Sequence, residues 1–174
     1  MTMPSPSPTP QAGNPQRAPL VLQWGRDENT DETFEARVST REELADVLTN
    51  IHTQALREGI ACMTQIWSAQ TMRQRGPGPA EPEVLIEAIV GDPRGAGLRW
   101  LGDDDEVQAA SPSLAAPNEN ITFDNAGSAD SLPPSVFRLS IADVQNILIE
   151  YLEKGSRTTS LSWTRLTFLN DPEP

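Results

Sequence analysis

The run from Ser140 to Gly155 admits one local structure. Ser140 and Asp143 stand at the spacing of a helix N-cap and its third helical residue. There the serine oxygen accepts a free backbone N–H and the acid sits near the positive helix end. Ile141, Val144, Ile147, Leu148, Tyr151 and Leu152 recur at helical spacing and form one apolar face. Lys154 suits the negative end, and Gly155 takes the left-handed conformation that stops a helix. Thr40 and Glu43 repeat the capping signature earlier in the chain. Behind them, Leu44, Val47, Leu48, Ile51 and Ala55 line a stripe that Gly59 closes. Two helices with one apolar face each must bury those faces on a common partner, and the rest of the chain reads as strands.

Leu20–Trp24 and Thr33–Val38 flank the acidic turn RDENTDE and predict a hairpin. Ile60–Trp67 is β-prone, and Thr71–Pro82, with its GPGP, reads as a loop. Glu83–Val90 is apolar on both faces, with Glu87 between Leu85 and Ile89, as in a central strand. GDPRGAG then turns the chain into Leu98–Leu101, a second hairpin whose loop is expected to exceed two residues. Gly102–Asn120 reads as a polar loop, Ile121–Asp124 as a short strand and Asn125–Leu132 as turns. Val136–Leu139 leads into the second helix, and Leu161, Trp163 and Leu166 mark a last strand. The expected fold is α+β: a mostly antiparallel sheet of about six or seven strands with two main helices packed largely on one face. Residues 19–174 are expected to form a single domain behind a disordered Pro/Ser-rich tail over residues 1–18.

Thirteen basic against 25 acidic residues give a formal charge of -12. Such a chain repels phosphate backbones and anionic membranes, which argues against direct nucleic-acid or membrane binding. It suits a basic protein partner, although acidity also serves solubility alone. Cys62 is the only cysteine and His52 the only histidine. They permit no internal disulfide and no ordinary zinc site, and no serine lies in a nucleophile-elbow pattern. GDPRGAG lacks the Lys and Ser/Thr of a phosphate-binding loop. No catalytic residue, metal or cofactor is expected. No apolar run approaches the about 20 residues of a membrane helix, and the N-terminus lacks a signal core, so a cytoplasmic location is expected.

Asp103, Asp104, Asp105 and Glu106 form the densest acidic run. It reads as a solvated loop, as a surface for a basic protein, or as a calcium loop that lacks EF-hand spacing. Trp24, Trp67, Trp100 and Trp163 all fall in or beside strands, where core packing is their ordinary role. Tryptophan is also enriched at binding hot spots, which makes Trp100 and Trp163 candidates for partner contact.

The order of these elements carries a resemblance. REELADVLTNI is followed by VLIEAIVGDPRGAGLRWLGDDD, then ITFDNAG, then a helix ending in EYLEKGSRTTSLSW. From about Ser39 to Leu166 the chain resembles immunity protein family 1 of bacterial polymorphic toxin systems. Arg165 departs from relatives that carry an acid just after the tryptophan. The resemblance implies a non-enzymatic inhibitor that binds a cognate toxin domain, often of the nucleic-acid deaminase class. An adaptor or chaperone that binds a secreted effector without inhibiting it is the alternative. The expected contact residues are Trp100, Asp103, Asp104, Asp105, Glu106, Asp124 and Trp163. The oligomeric state is left open.

Overall fold

The computed structural model describes residues 18–27, 29–73, 81–102 and 107–165. The tail over residues 1–17 and the acidic run Asp103–Glu106 lie outside them. The chain opens with the hairpin β1 (Leu20–Trp24) and β2 (Phe34–Val38), followed by α1 (Arg41–Glu58) and β3 (Ala61–Ser68). Two short strands, β4 (Met72–Arg73) and β5 (Glu81–Pro82), pair only with each other. Then come β6 (Ile86–Asp92), β7 (Gly95–Trp100), β8 (Val107–Ala110), β9 (Ile121–Asn125) and β10 (Ser128–Leu132). A single 3-10 turn over Pro134–Val136 leads to α2 (Ile141–Lys154) and the closing strand β11 (Ser162–Arg165).

Both helices begin and end where their caps predict. Thr40 and Ser140 each accept the N–H of the third helical residue and are bonded back by Glu43 and Asp143. Gly59 and Gly155 end the helices in the left-handed conformation. Arg41 at the start of α1 meets Glu153 near the end of α2 at 2.8 Å, so the two run antiparallel. The fold is α+β, as expected, with a larger sheet: nine strands in place of about six or seven. β8 lies inside the stretch that reads as a polar loop, and β10 inside the one that reads as turns. Neither has a hydrophobic alternation of its own; ladder partners make them strands.

β3 organises the sheet. One edge pairs antiparallel with β6. The other edge is shared end to end by two strands. Residues 64–68 pair antiparallel with β1, and Ala61–Cys62 pair parallel with β9. Beyond β6 the order continues β7, β8, β11. The β6–β7 turn is tighter than expected. Asp92 pairs with Gly95, leaving Pro93 and Arg94 as a two-residue loop, because a bulge between Ile89 and Asp92 takes up the extra residue.

Two apolar layers result. Under the helices, Leu22, Ile66, Ile86, Ala88 and Leu98 pack with Leu44, Leu48, Ile51, Val144 and Leu148. On the opposite face, Met63, Ile89, Ile121, Phe123, Val136 and Phe137 form a smaller cluster. Gly97 admits the 3-10 turn there; a Cβ would lie 3.1 Å from Val136 Cγ1. The same face carries a polar row, Gln23–Gln65–Glu87–Arg99–Gln108, in register across adjacent strands. Arg99 donates both Nε, at 2.8 Å, and Nη2 to Glu87 Oε2. A one-residue slip would turn this pair into the apolar layer under the helices, so it penalises the wrong register.

His52 is a docking residue for α1. Its Nδ1 accepts the Gly91 N–H at 3.0 Å, and burial lowers its pKa, favouring the neutral ring that can accept. Gly91 is held at φ 97°, and a Cβ there would sit 2.2 Å from the Ala55 methyl. Gly91→Ala is therefore expected to cost about 3 kcal/mol in urea denaturation, from overpacking plus a strained φ. Adding Ala55→Gly is expected to return part of that loss. A Gly91→Ala chain as stable as the parent would contradict this packing.

Candidate functional site

The expected contact residues separate into two places. Trp100 and Trp163 come together, with ring centroids 6.2 Å apart and planes at 81°. Tyr151 meets Trp100 edge-on at 5.1 Å. The Arg157 guanidinium lies 5.9 Å from the Trp100 ring and 5.5 Å from the Trp163 ring. Pairing of β11 with β8 sets Trp163 opposite Ala109, and its Nε1 donates to Thr158 O at 2.8 Å. Trp100 is only 4% exposed. Its Nε1–H is buried without a partner among the described residues, and a Cβ on Gly102 would come within 3.2 Å of it. These aromatic contacts tie the end of α2 to the β7–β8–β11 edge. Asp103, Asp104, Asp105 and Glu106 follow directly on Gly102 and lie outside the described residues, so only their place in the chain is defined.

Asp124 lies elsewhere. It sits on β9, three strands from β7, which is about 14 Å at ordinary strand spacing. It opens onto a cleft of about 720 Å³ on the helix side of the sheet. The cleft exists because β1 and β9 meet β3 end to end. Past Trp24 the chain leaves the sheet at Gly25, and Asp124 enters opposite Cys62. The last turns of α1 supply one wall, through Ile51, Ala55 and Glu58. Cys62 and Ile60 lie at its base. The β1–β2 turn contributes Arg26, Asp27 and Asp31, and the β9–β10 turn contributes Asp124 and Gly127.

Backbone geometry fixes these side chains. Asp27 Oδ1 accepts the Asn29 N–H at 2.7 Å and the Thr30 N–H at 3.3 Å. Asp124 Oδ1 accepts the Gly127 N–H at 2.7 Å. Arg26 pairs with Asp31 at 3.0 Å, and a Cβ on Gly127 would come within 3.0 Å of its stem. Arg26 thus lies across the β9–β10 turn and links the two hairpins. Trp24 and Phe34 stack at 6.0 Å, and Phe34 stays 37% exposed. The field inside is negative. Burial pushes the Cys62 thiol up to about 12, and the charges of Asp124 and Glu58 push the same way. The C-terminal end of α1 adds its own partial negative charge.

The family model for the Imm1 immunity protein matches residues 32–165. The chain belongs to the Imm1 immunity protein family. No curated protein matches it. The matched span holds both helices, the Trp100–Trp163 cluster and the cleft residues Phe34, Glu58, Cys62 and Asp124. Trp24, Arg26, Asp27 and Asp31 precede it. This Imm1 cleft thus joins residues inside the matched span to an arm outside it. Sequence reasoning singled out Asp124 but missed the rest, because the parallel β3–β9 pairing that unites them has no local signature. The run RDENTDE was the available signal, and it reads as a solvated turn when taken alone. No helix among the described residues is long and apolar enough to cross a membrane.

Cys62 is 8% exposed, and its Sγ–H donates to Met63 O at 3.6 Å. An uncharged, covered thiol is a poor nucleophile. The folded chain is expected to resist Ellman's reagent at about pH 8 under conditions that fully label the urea-unfolded chain. Equal labelling rates in the two states would contradict a closed base to the cleft.

Proposed function

We propose that this Imm1 chain neutralises a cognate toxin by stoichiometric binding, without catalysis, in the cytoplasm. Membership of the immunity family carries the reading. The toxin is proposed to attack nucleic acid and to belong to the deaminase class that the sequence resemblance implies. A toxin of that kind needs a basic surface for phosphate backbones, and a chain of charge -12 competes for that surface and is steered towards it. Two patches are proposed to touch the toxin. One is the Trp100–Trp163 cluster together with the acidic run Asp103–Glu106 that follows Gly102 in the chain. The other is the cleft around Asp124. Charges at the rim of such an interface govern association and its salt dependence, whereas buried anchors govern dissociation.

Co-expression with the toxin encoded beside this chain's gene tests the reading. Restored growth and a one-to-one complex on size-exclusion chromatography are expected. Growth arrest despite soluble expression of the chain would contradict it.

A further inference from the structure

The cleft at the strand seam is built for one kind of group. Among the described residues, no ion pair involves Asp27, Glu58 or Asp124. Asp31 differs, because Arg26 already neutralises it. Three carboxylates therefore share a concave space whose one described cation, Arg26, is paired with Asp31. They are not gathered as metal ligands: no group of three or more acidic, histidine or cysteine side chains among the described residues could hold a metal ion. A divalent ion needs oxygens converging to about 2.0–2.6 Å, whereas carboxylates spread around a wide cleft suit a broad cation with several donors. The rest of the lining is mixed: Arg26, Asn29 and Gln54 are polar, and Trp24, Phe34, Ile51, Ala55, Ile60 and Cys62 supply its apolar part. Ile51 and Ala55 line the α1 wall, and the Trp24–Phe34 stack stands with Phe34 exposed. Phe34 and Leu56 are the two large hydrophobic residues exposed among those described, and Phe34 is the one that lines this cleft. The apolar and aromatic part of this lining, with acids around it, suits an arginine, whose methylene stem buries on carbon while its planar head stacks and forks onto carboxylates.

We propose that the cleft receives an arginine side chain of the toxin, its stem against Trp24 and Phe34 and its guanidinium among Asp27, Glu58 and Asp124. This rests on the reading that the chain binds a toxin, and it names where and through what chemistry. The cleft is an anchor point, distinct from the general negative field. Part of it, Trp24 and Asp27, precedes the family-matched span.

The test uses the full chain and the purified toxin encoded beside it. One variant carries Asp27→Asn, Glu58→Gln and Asp124→Asn, which keep one acceptor oxygen at each position and remove three charges. A control carries Glu42→Gln, Asp46→Asn and Asp130→Asn, exposed positions outside the cleft lining with the same change in net charge. Circular dichroism and melting establish that both fold. The cleft variant is expected to dissociate at least about tenfold faster than the parent, and Phe34→Ala likewise. The control is expected to slow association at low salt and leave dissociation unchanged. One toxin arginine, replaced by alanine, is expected to give no further loss when combined with the cleft variant. Equal dissociation rates for cleft variant and control, or no toxin arginine coupled to the cleft, overturn the proposal while leaving toxin binding intact. Failure of the parent chain to bind the toxin overturns both.

Discussion

One eight-residue strand, β3, has to satisfy three partners. Its backbone donors and acceptors cannot stay unpaired beneath two helices, since a buried orphan costs about 1–3 kcal/mol. β6 occupies one edge. The other is divided between β1 and β9, which stand about a hundred residues apart in the chain and run in opposite directions. Every later feature follows from that division. It gathers two hairpins into one nine-stranded sheet and gives α1 a floor wide enough for its apolar stripe. It also leaves a seam where the two shared strands meet. Such a seam is a natural place for a recess, because the strands on either side turn away into loops.

The two ends of the sheet are finished differently. At the β7–β8–β11 edge, Trp100, Trp163, Tyr151 and Arg157 close onto one another, and that packing holds α2 to the sheet. At the seam, the carboxylates of Asp27, Glu58 and Asp124 are held by neutral hydrogen-bond donors and meet no cation among the described residues. A partner that supplies the cation gains what the free fold forgoes. The Glu87–Arg99 pair holds register between these two regions.

Much of the fold was legible in the sequence. The caps at Thr40 and Ser140, the stops at Gly59 and Gly155 and the helical stripes are local signals, and each marks a helix boundary to the residue. β1, β2, β3 and β6 were legible for the same reason, through β-prone apolar runs. What escaped were features whose cause is distant. Val107–Ala110 and Ser128–Leu132 become strands through their partners, not their composition. The bulge near Gly91 shortens the β6–β7 loop, and it depends on how closely Ala55 packs. The cleft escaped most fully. Asp27 and Asp124 stand nearly a hundred residues apart, and only a parallel contact of two residues, Ala61–Cys62 with Phe123–Asp124, brings them together. Residue type marks Trp100 and Trp163 as candidates for partner contact; it does not reveal that their rings meet each other.

Hydrogen–deuterium exchange of the free chain and of its toxin complex measures directly whether the seam is where the partner sits. Slowed exchange on complex formation at residues 24–34 and 124–127, the two hairpin ends that border the cleft, is the expected result. Unchanged exchange at both hairpin ends in a saturated complex would contradict it.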